Sequence, residues 1–315
     1  MNMDYKQFDW SGVFGFNYQP SYGRDVLEIW LYKYDAAQIV RELASGKKYF
    51  PKMNAVRLWL SYQPFYYDSV LFLEHFEKAV TICAGLGLKV IPVLFNNWHS
   101  FPQFGGIAPE MIGYWFKAYG QSGTASNYLF KPYLDALWGT YPQDERILAW
   151  DLCNEPYNNY CPEMNEWLSH TWQWGKNMNV SQPISVSLQA SISQVRECQH
   201  FSDLFMIHPY FAKEQGIQEI VSFAQSLGKG VLATECCWGS MDDAQRVEYI
   251  RNDLSILSAN GVGFFPHALQ ESLVADLHRP QYAAFGIISG ASYMAFVNMD
   301  GGLRNGHEVY NDYCR

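Results

Sequence analysis

Eight short apolar runs recur along this chain with helix-like segments between them, and that alternation limits the possible folds more than any other feature. The runs are Val13–Tyr18, Ala55–Leu60, Lys89–Phe95, Ile147–Leu152, Ile184–Leu188, Leu204–Ile207, Gly230–Ala233 and Gly261–Phe265. Taken together they read as near-continuous apolar stretches rather than strict alternation, as expected for parallel strands covered on both faces. The intervening segments carry cap signals. Asp35–Ala44 begins on an Asp and has Gly46 just past its end, Val70–Leu86 stops at Gly87, Ile217–Leu227 stops at Gly228, and Asp242–Ala259 ends beside Asn260-Gly261. Repeated strand–helix–glycine units predict an α/β fold, a single (β/α)8 TIM barrel spanning residues 1–315. The competing architecture is a doubly wound open sheet, but no GxGxxG follows the first run.

The spacing of the runs is uneven. The third and fourth lie about 55 residues apart, which predicts an extended βα loop around 96–146 with an extra helix, of the kind that shapes a binding face. The fifth and sixth are separated by about 20 residues, room for a short helix only. Pro92 counts against its run being a strand, since proline cannot donate to the ladder.

Composition excludes several functions. Lys and Arg number 22 against 31 Asp and Glu, a net charge of −9, which argues against a nucleic-acid partner. No apolar stretch reaches the roughly 18 residues of a membrane span. The polar start, Met1–Trp10, shows no secretory signal. Seven scattered cysteines without a CxxC pair read as free thiols rather than a zinc site. A cytoplasmic location is the expectation. No cofactor and no metal are expected, because neither HExxH nor an Asp-rich loop occurs. The oligomeric state is not legible.

In these barrels chemistry gathers at the C-terminal ends of the strands, so the polar residue closing each run is informative. Run two holds Arg57, a charge that needs an anionic partner once buried. Run three ends in Asn96-Asn97-Trp98-His99, run four in Asn154-Glu155-Pro156, run six in His208-Pro209-Tyr210, run seven in Thr234-Glu235 and run eight in Pro266-His267. Pro156 is expected to hold Glu155 extended. Glu155 and Glu235 thus stand at two strand ends, and two carboxylates flanking one bond are the equipment of glycoside hydrolysis, one protonated and one ionised. Arg57 beside a glutamate would keep it ionised.

With these residues in order, the chain resembles the clan A glycoside hydrolases, most nearly family 5, the cellulase and mannanase family. The resemblance is carried by Asn154-Glu155-Pro156, Glu235, Arg57 and His208-x-Tyr210, and covers roughly Val13 to Leu269. It implies that Glu155 is the acid/base and Glu235 the nucleophile of a retaining enzyme acting on a β-linked oligosaccharide or glycoside, β-mannosidic or β-glucosidic. It further implies that Asn154 binds the sugar 2-hydroxyl, that Arg57 and Tyr210 hold Glu235, and that His208 lines the site. The family places a Trp after strand eight, where this chain reads Gly-Phe-Phe-Pro-His-Ala. Phe265 or His267 is expected in its place.

Aromatic residues make up 17% of the chain. Most must fill the barrel, and those after strand runs, Tyr18, Tyr22, Trp98, Trp238 and Phe265, are the candidate sugar platforms. Asn97 and His99 join the candidates by position, whereas Trp59 and Trp150 read as barrel packing. The alternatives are a transglycosylase using the same two glutamates, a catalytically silent carbohydrate-binding barrel, and a metal-dependent hydrolase.

Overall fold

The computed structural model describes residues 5, 7–97, 124–158, 162–274 and 293–315. Eight parallel strands, one in each apolar run, form a sheet in chain order: β1 (Gly15–Tyr18), β2 (Ala55–Trp59), β3 (Lys89–Val93), β4 (Trp150–Asn154), β5 (Ile184–Gln189), β6 (Phe205–His208), β7 (Val231–Cys236) and β8 (Gly263–Pro266). The first and last edges meet. Phe14 bridges Phe264, Phe264 N–H donates to the Val13 carbonyl at 3.0 Å, and Leu269 N–H donates to the Asn17 carbonyl at 2.9 Å. Eight helix-connected strands closed in this way make a (β/α)8 barrel.

The helices are α1 (Ala36–Tyr49), α2 (Tyr62–Tyr67), α3 (Ser69–Gly85), α4 (Thr124–Thr140), α5 (Met164–Asn177), α6 (Ile192–Cys198), α7 (Glu214–Ser226) and α8 (Asp243–Ala259). Asp35, Asp68 and Asp242 cap α1, α3 and α8 by accepting the backbone N–H three residues on. Gly87, Gly228 and Gly261, with φ of 71°, 64° and 67°, follow α3, α7 and α8. The seven-residue α6 fills the short interval between β5 and β6, and α4 lies in the long one. Of the residues around 96–146, positions 98–123 lie outside the described part.

Two local expectations are corrected. Gly46 does not terminate α1, which continues to Tyr49. A Cβ on Gly46 would stand 2.8 Å from Leu269, so this glycine lets the helix approach the barrel. Pro92 is a buried member of β3. Val90 and Leu94 on either side of it both donate to the β4 segment, and the missing donor between them leaves β3 and β4 paired at one register position only, Val93 with Asp151.

The barrel interior changes character along its axis. Val13, Ala55, Ile91, Leu148, Met206, Leu232 and Phe265 form a dry layer at the lower end with Trp10. Two residues further along β2 and the strand-eight run, the same inward face presents Arg57 and His267. Phe265 is therefore core and not a sugar platform, because its place in the strand period puts it one layer below the site.

Candidate active site

Arg57 is fully buried in the middle of the upper barrel, and all its donors are matched. Its Nε and Nη2 donate to Asp151 Oδ2 at 3.0 and 2.7 Å, Nη1 to Asn17 Oδ1 and Glu235 Oε1 at 2.8 and 2.6 Å, and Nη2 also to Asn154 Oδ1 at 2.8 Å and Ser187 Oγ at 3.1 Å. One cation thus ties β1, β2, β4, β5 and β7 together. Burial pushes its pKa down, but the Asp151 and Glu235 charges outweigh this and raise it. Of this set, sequence reasoning found Arg57, Asn154 and Glu235. It missed Asp151, Asn17 and Ser187, although an Asp inside the Trp-Asp-Leu-Cys-Asn strand was a second charge that needed a partner.

Glu235, at the end of β7, receives Arg57 on one oxygen and the Tyr210 hydroxyl on the other at 2.7 Å. His208 Nδ1 stands 3.6 Å and His267 Nδ1 4.0 Å from that second oxygen. Burial by itself would raise this carboxyl's pKa. His208, Arg57, His267 and the tyrosine bond more than offset it and hold the group at about 2.

Glu155 is held differently. His208 Nδ1 lies 2.7 Å from its Oε1, and Asn158 donates to its Oε2. Its backbone is not extended as expected but left-handed, with φ 46°. Proline at 156 removes the ordinary helical region, while Glu155 N–H is drawn to the Ser187 carbonyl at 3.0 Å and its own carbonyl accepts from Asn158 N–H at 3.2 Å. Those two bonds close the turn in which Glu155 takes up the left-handed region. Asn97 supports the same turn, since its Nδ2 donates to the Pro156 carbonyl at 2.6 Å.

The two glutamates open into a cavity of about 400 Å³. Its wall includes Asn96, Asn154, Asn158, Gln189, His208, Tyr210 and Trp238 on one side. The loop after β1 supplies Gln19, Asp25, Val26, Ile29 and Trp30. Tyr18 reaches this wall, but its hydroxyl is engaged by Glu42 at 2.6 Å. Tyr22 donates to the Ile29 carbonyl at 3.2 Å and is not part of the wall. Trp59, expected as packing, lines the cavity, with the Arg57 guanidinium 4.7 Å from its ring centre. His267 is buried beside Glu235, its ring edge-on to Trp59 at 6.3 Å. Trp98 and His99 lie outside the described residues. Asn158, Trp30 and Asp25 escaped sequence reasoning, since nothing in the composition of a connecting segment says which way it folds back, and Gln189 escaped it as the last residue of β5, just past the apolar run.

One ligand atom each from Glu155, His208 and Glu235 fall within 4.8 Å of one another. These three are the described residues that could share a metal ion. The Arg57 charge bound to Glu235 opposes a cation there. Among the described residues six cysteines are free and buried, and no helix is long and apolar enough to cross a membrane.

No known protein-family model matches the chain. Mannan endo-1,4-β-mannosidase A of Aspergillus aculeatus is 25% identical over 118 residues, 36% of this chain and 30% of that protein. Among solved structures, the exo-β-1,4-mannosidase of Opitutaceae bacterium strain TAV5 superposes with a TM-score of 0.68 at 18% identity, covering 96% of this chain and 59% of that one. A β-glucuronidase of Ruminococcus gnavus gives 0.68 at 13% identity, covering 96% and 50%. A glycoside hydrolase family 5 mannosidase of Rhizomucor miehei gives 0.66 at 13% identity, covering 95% and 91%. The chain thus spans about half to three fifths of the first two structures' length. These likenesses establish the barrel, and a family 5 member stands among them as the sequence resemblance implied.

Proposed function

We propose that this chain is a retaining glycoside hydrolase acting on a β-linked oligosaccharide or glycoside, with Glu155 as acid/base and Glu235 as nucleophile. The observation that carries this reading is the pairing of the two glutamates, oxygens within 4.8 Å, at the ends of β4 and β7. Retaining enzymes keep their carboxyls about 5–5.5 Å apart, whereas inverting enzymes leave about 6.5–9.5 Å for a water. One oxygen of each carboxyl within 4.8 Å of the other is consistent with the shorter class.

The two environments support the two roles. Glu235, held at about 2, is ionised at neutral pH and attacks the anomeric carbon. Glu155 gives its proton to the departing glycosidic oxygen, and a glycosyl ester forms on Glu235. Glu155, now a carboxylate, takes a proton from water as that water attacks the ester. Two inversions leave the anomeric configuration unchanged. Asn154, next to Glu155 in the chain and joined to Glu235 through Arg57, would meet the sugar 2-hydroxyl.

The mannosidases and the mannanase among the similar proteins favour a β-mannoside over a β-glucoside. Removal of single sugars from short oligosaccharides fits the wall that the β1 loop builds around the cavity. The buried free thiols fit a reducing compartment such as the cytoplasm. A panel of aryl β-glycosides and β-1,4-linked oligosaccharides, with the anomer of the first product read by NMR, tests the whole. A product of inverted configuration, or no turnover of any β-glycoside, overturns it. Acceptor sugars added to the same assay separate hydrolysis from transglycosylation.

A further inference from the structure

Beside the catalytic cavity lies a second crevice of about 450 Å³. It shares the wall residues Ala190 and Tyr210 with the cavity, so the two adjoin. Its wall carries Phe211, whose side chain is 49% exposed on a backbone with φ 54°. A bulky residue avoids that left-handed region unless its surroundings impose it. Here they do. Asp253, buried on α8, accepts Ala212 N–H on one oxygen and Cys237 N–H on the other, both at 2.8 Å. Cys237 has φ 64°. One carboxylate therefore fixes the loop after β6 next to left-handed Phe211 and the loop after β7 at left-handed Cys237 itself.

The fixed ring belongs to a series. Tyr210, which holds Glu235, meets Trp238 edge-on at 5.1 Å. Trp238 lies 6.3 Å from Phe211, and Phe211 meets Tyr249 edge-on at 5.1 Å. The series leads from the nucleophile's hydrogen-bond partner to the surface. Scattered exposed rings are ordinary, but a ring locked in an unfavourable backbone geometry at the mouth of a cavity presents a flat apolar face at a set place.

We propose that Phe211 is a binding platform for sugars on the leaving-group side of the scissile bond. The proposal rests on the hydrolase reading above. The acid must stand beside the departing oxygen. Glu155 is held by His208 of β6 and, through Asn158, is linked to Gln189 of β5. The crevice lies just outside those same two strands. A chain departing past Glu155 runs over it, and the C–H face of a pyranose packs on the phenyl ring. Lys213 and Gln215 at its edge offer partners to ring hydroxyls.

The test compares wild type with Phe211→Ala on aryl β-mannoside and β-glucoside and on β-1,4-linked manno- and cellotetraose. The expected result is a loss of about tenfold in kcat/KM, carried by KM, on the tetrasaccharide alone, with Phe211→Tyr close to wild type. An unchanged tetrasaccharide rate, or equal losses on aryl glycoside and tetrasaccharide, overturns it. If wild type cleaves neither, the hydrolase reading fails by itself. Calorimetry with the same tetrasaccharides then decides: about tenfold weaker binding by Phe211→Ala supports a sugar platform, and equal or undetectable binding by both proteins overturns it.

Discussion

Glu155 and Glu235 share His208 as a neighbour yet are otherwise held differently. Glu235 sits against a guanidinium on β2 and a phenol on the loop after β6, and every one of these contacts favours its charge. Glu155 is held by an imidazole and an amide on a left-handed turn. The difference teaches that two carboxyls sharing one cavity can be given unlike surroundings, one against a buried cation and a phenol, the other on a turn beside an imidazole and an amide.

The comparison can be broken experimentally. Glu235→Ala is expected to abolish turnover, by at least about 10⁴-fold. Added azide should then recover part of it as a glycosyl azide, and a failure of rescue would count against Glu235 as the attacking group. Glu155→Ala should cost roughly 10²–10⁴-fold on oligosaccharides and far less on aryl glycosides whose leaving group needs no proton. Equal losses on both would show that Glu155 is not the acid.

Arg57→Met strips the cation from between Asp151 and Glu235 and leaves two buried carboxylates facing each other. A loss of about 3–5 kcal/mol in unfolding free energy is expected from denaturant titration. In protein that still folds, the acid limb of kcat/KM should move to higher pH, since a main influence holding Glu235 down is gone. The smallest effect concerns stability in acid. Because the folded Glu235 pKa of about 2 lies below its ordinary 4.5, its charge stabilises the fold above about pH 4.5, and this contribution is lost as pH falls towards 2. Glu235→Gln should flatten the stability curve over that window, and parallel curves would show that Glu235 is not depressed.

The strands were almost fully legible, because burial on both faces forces continuous apolar runs and each run ended near a turn signal. Pro92 looked like an objection and proved to be a local gap in one ladder. Gly46 looked like a helix stop and proved to be a close-packing point. Both misreadings share a cause, since a residue's conformational habit is visible in sequence but the neighbour that exploits it is not. Of the site, Glu155, Glu235, Arg57, Asn154, His208 and Tyr210 were found because each closes or interrupts an apolar run. Phe265 was misplaced by one layer of the barrel, and Trp59 was assigned to packing though it faces the cavity.

The sequence by itself determined the barrel and the pair of strand-end carboxylates, because periodicity and position along a strand are local properties of the chain. Only the tertiary structure decided how each carboxylate is held. Asn17, Asp151, Ser187 and Asn158 reach the site from four different segments, and convergence on Arg57 or Glu155 is a relation in space that no local pattern records. The left-handed turn at Glu155 arose in the same way, from hydrogen bonds to Ser187 and Asn158 that outweighed the extended geometry its following proline favours.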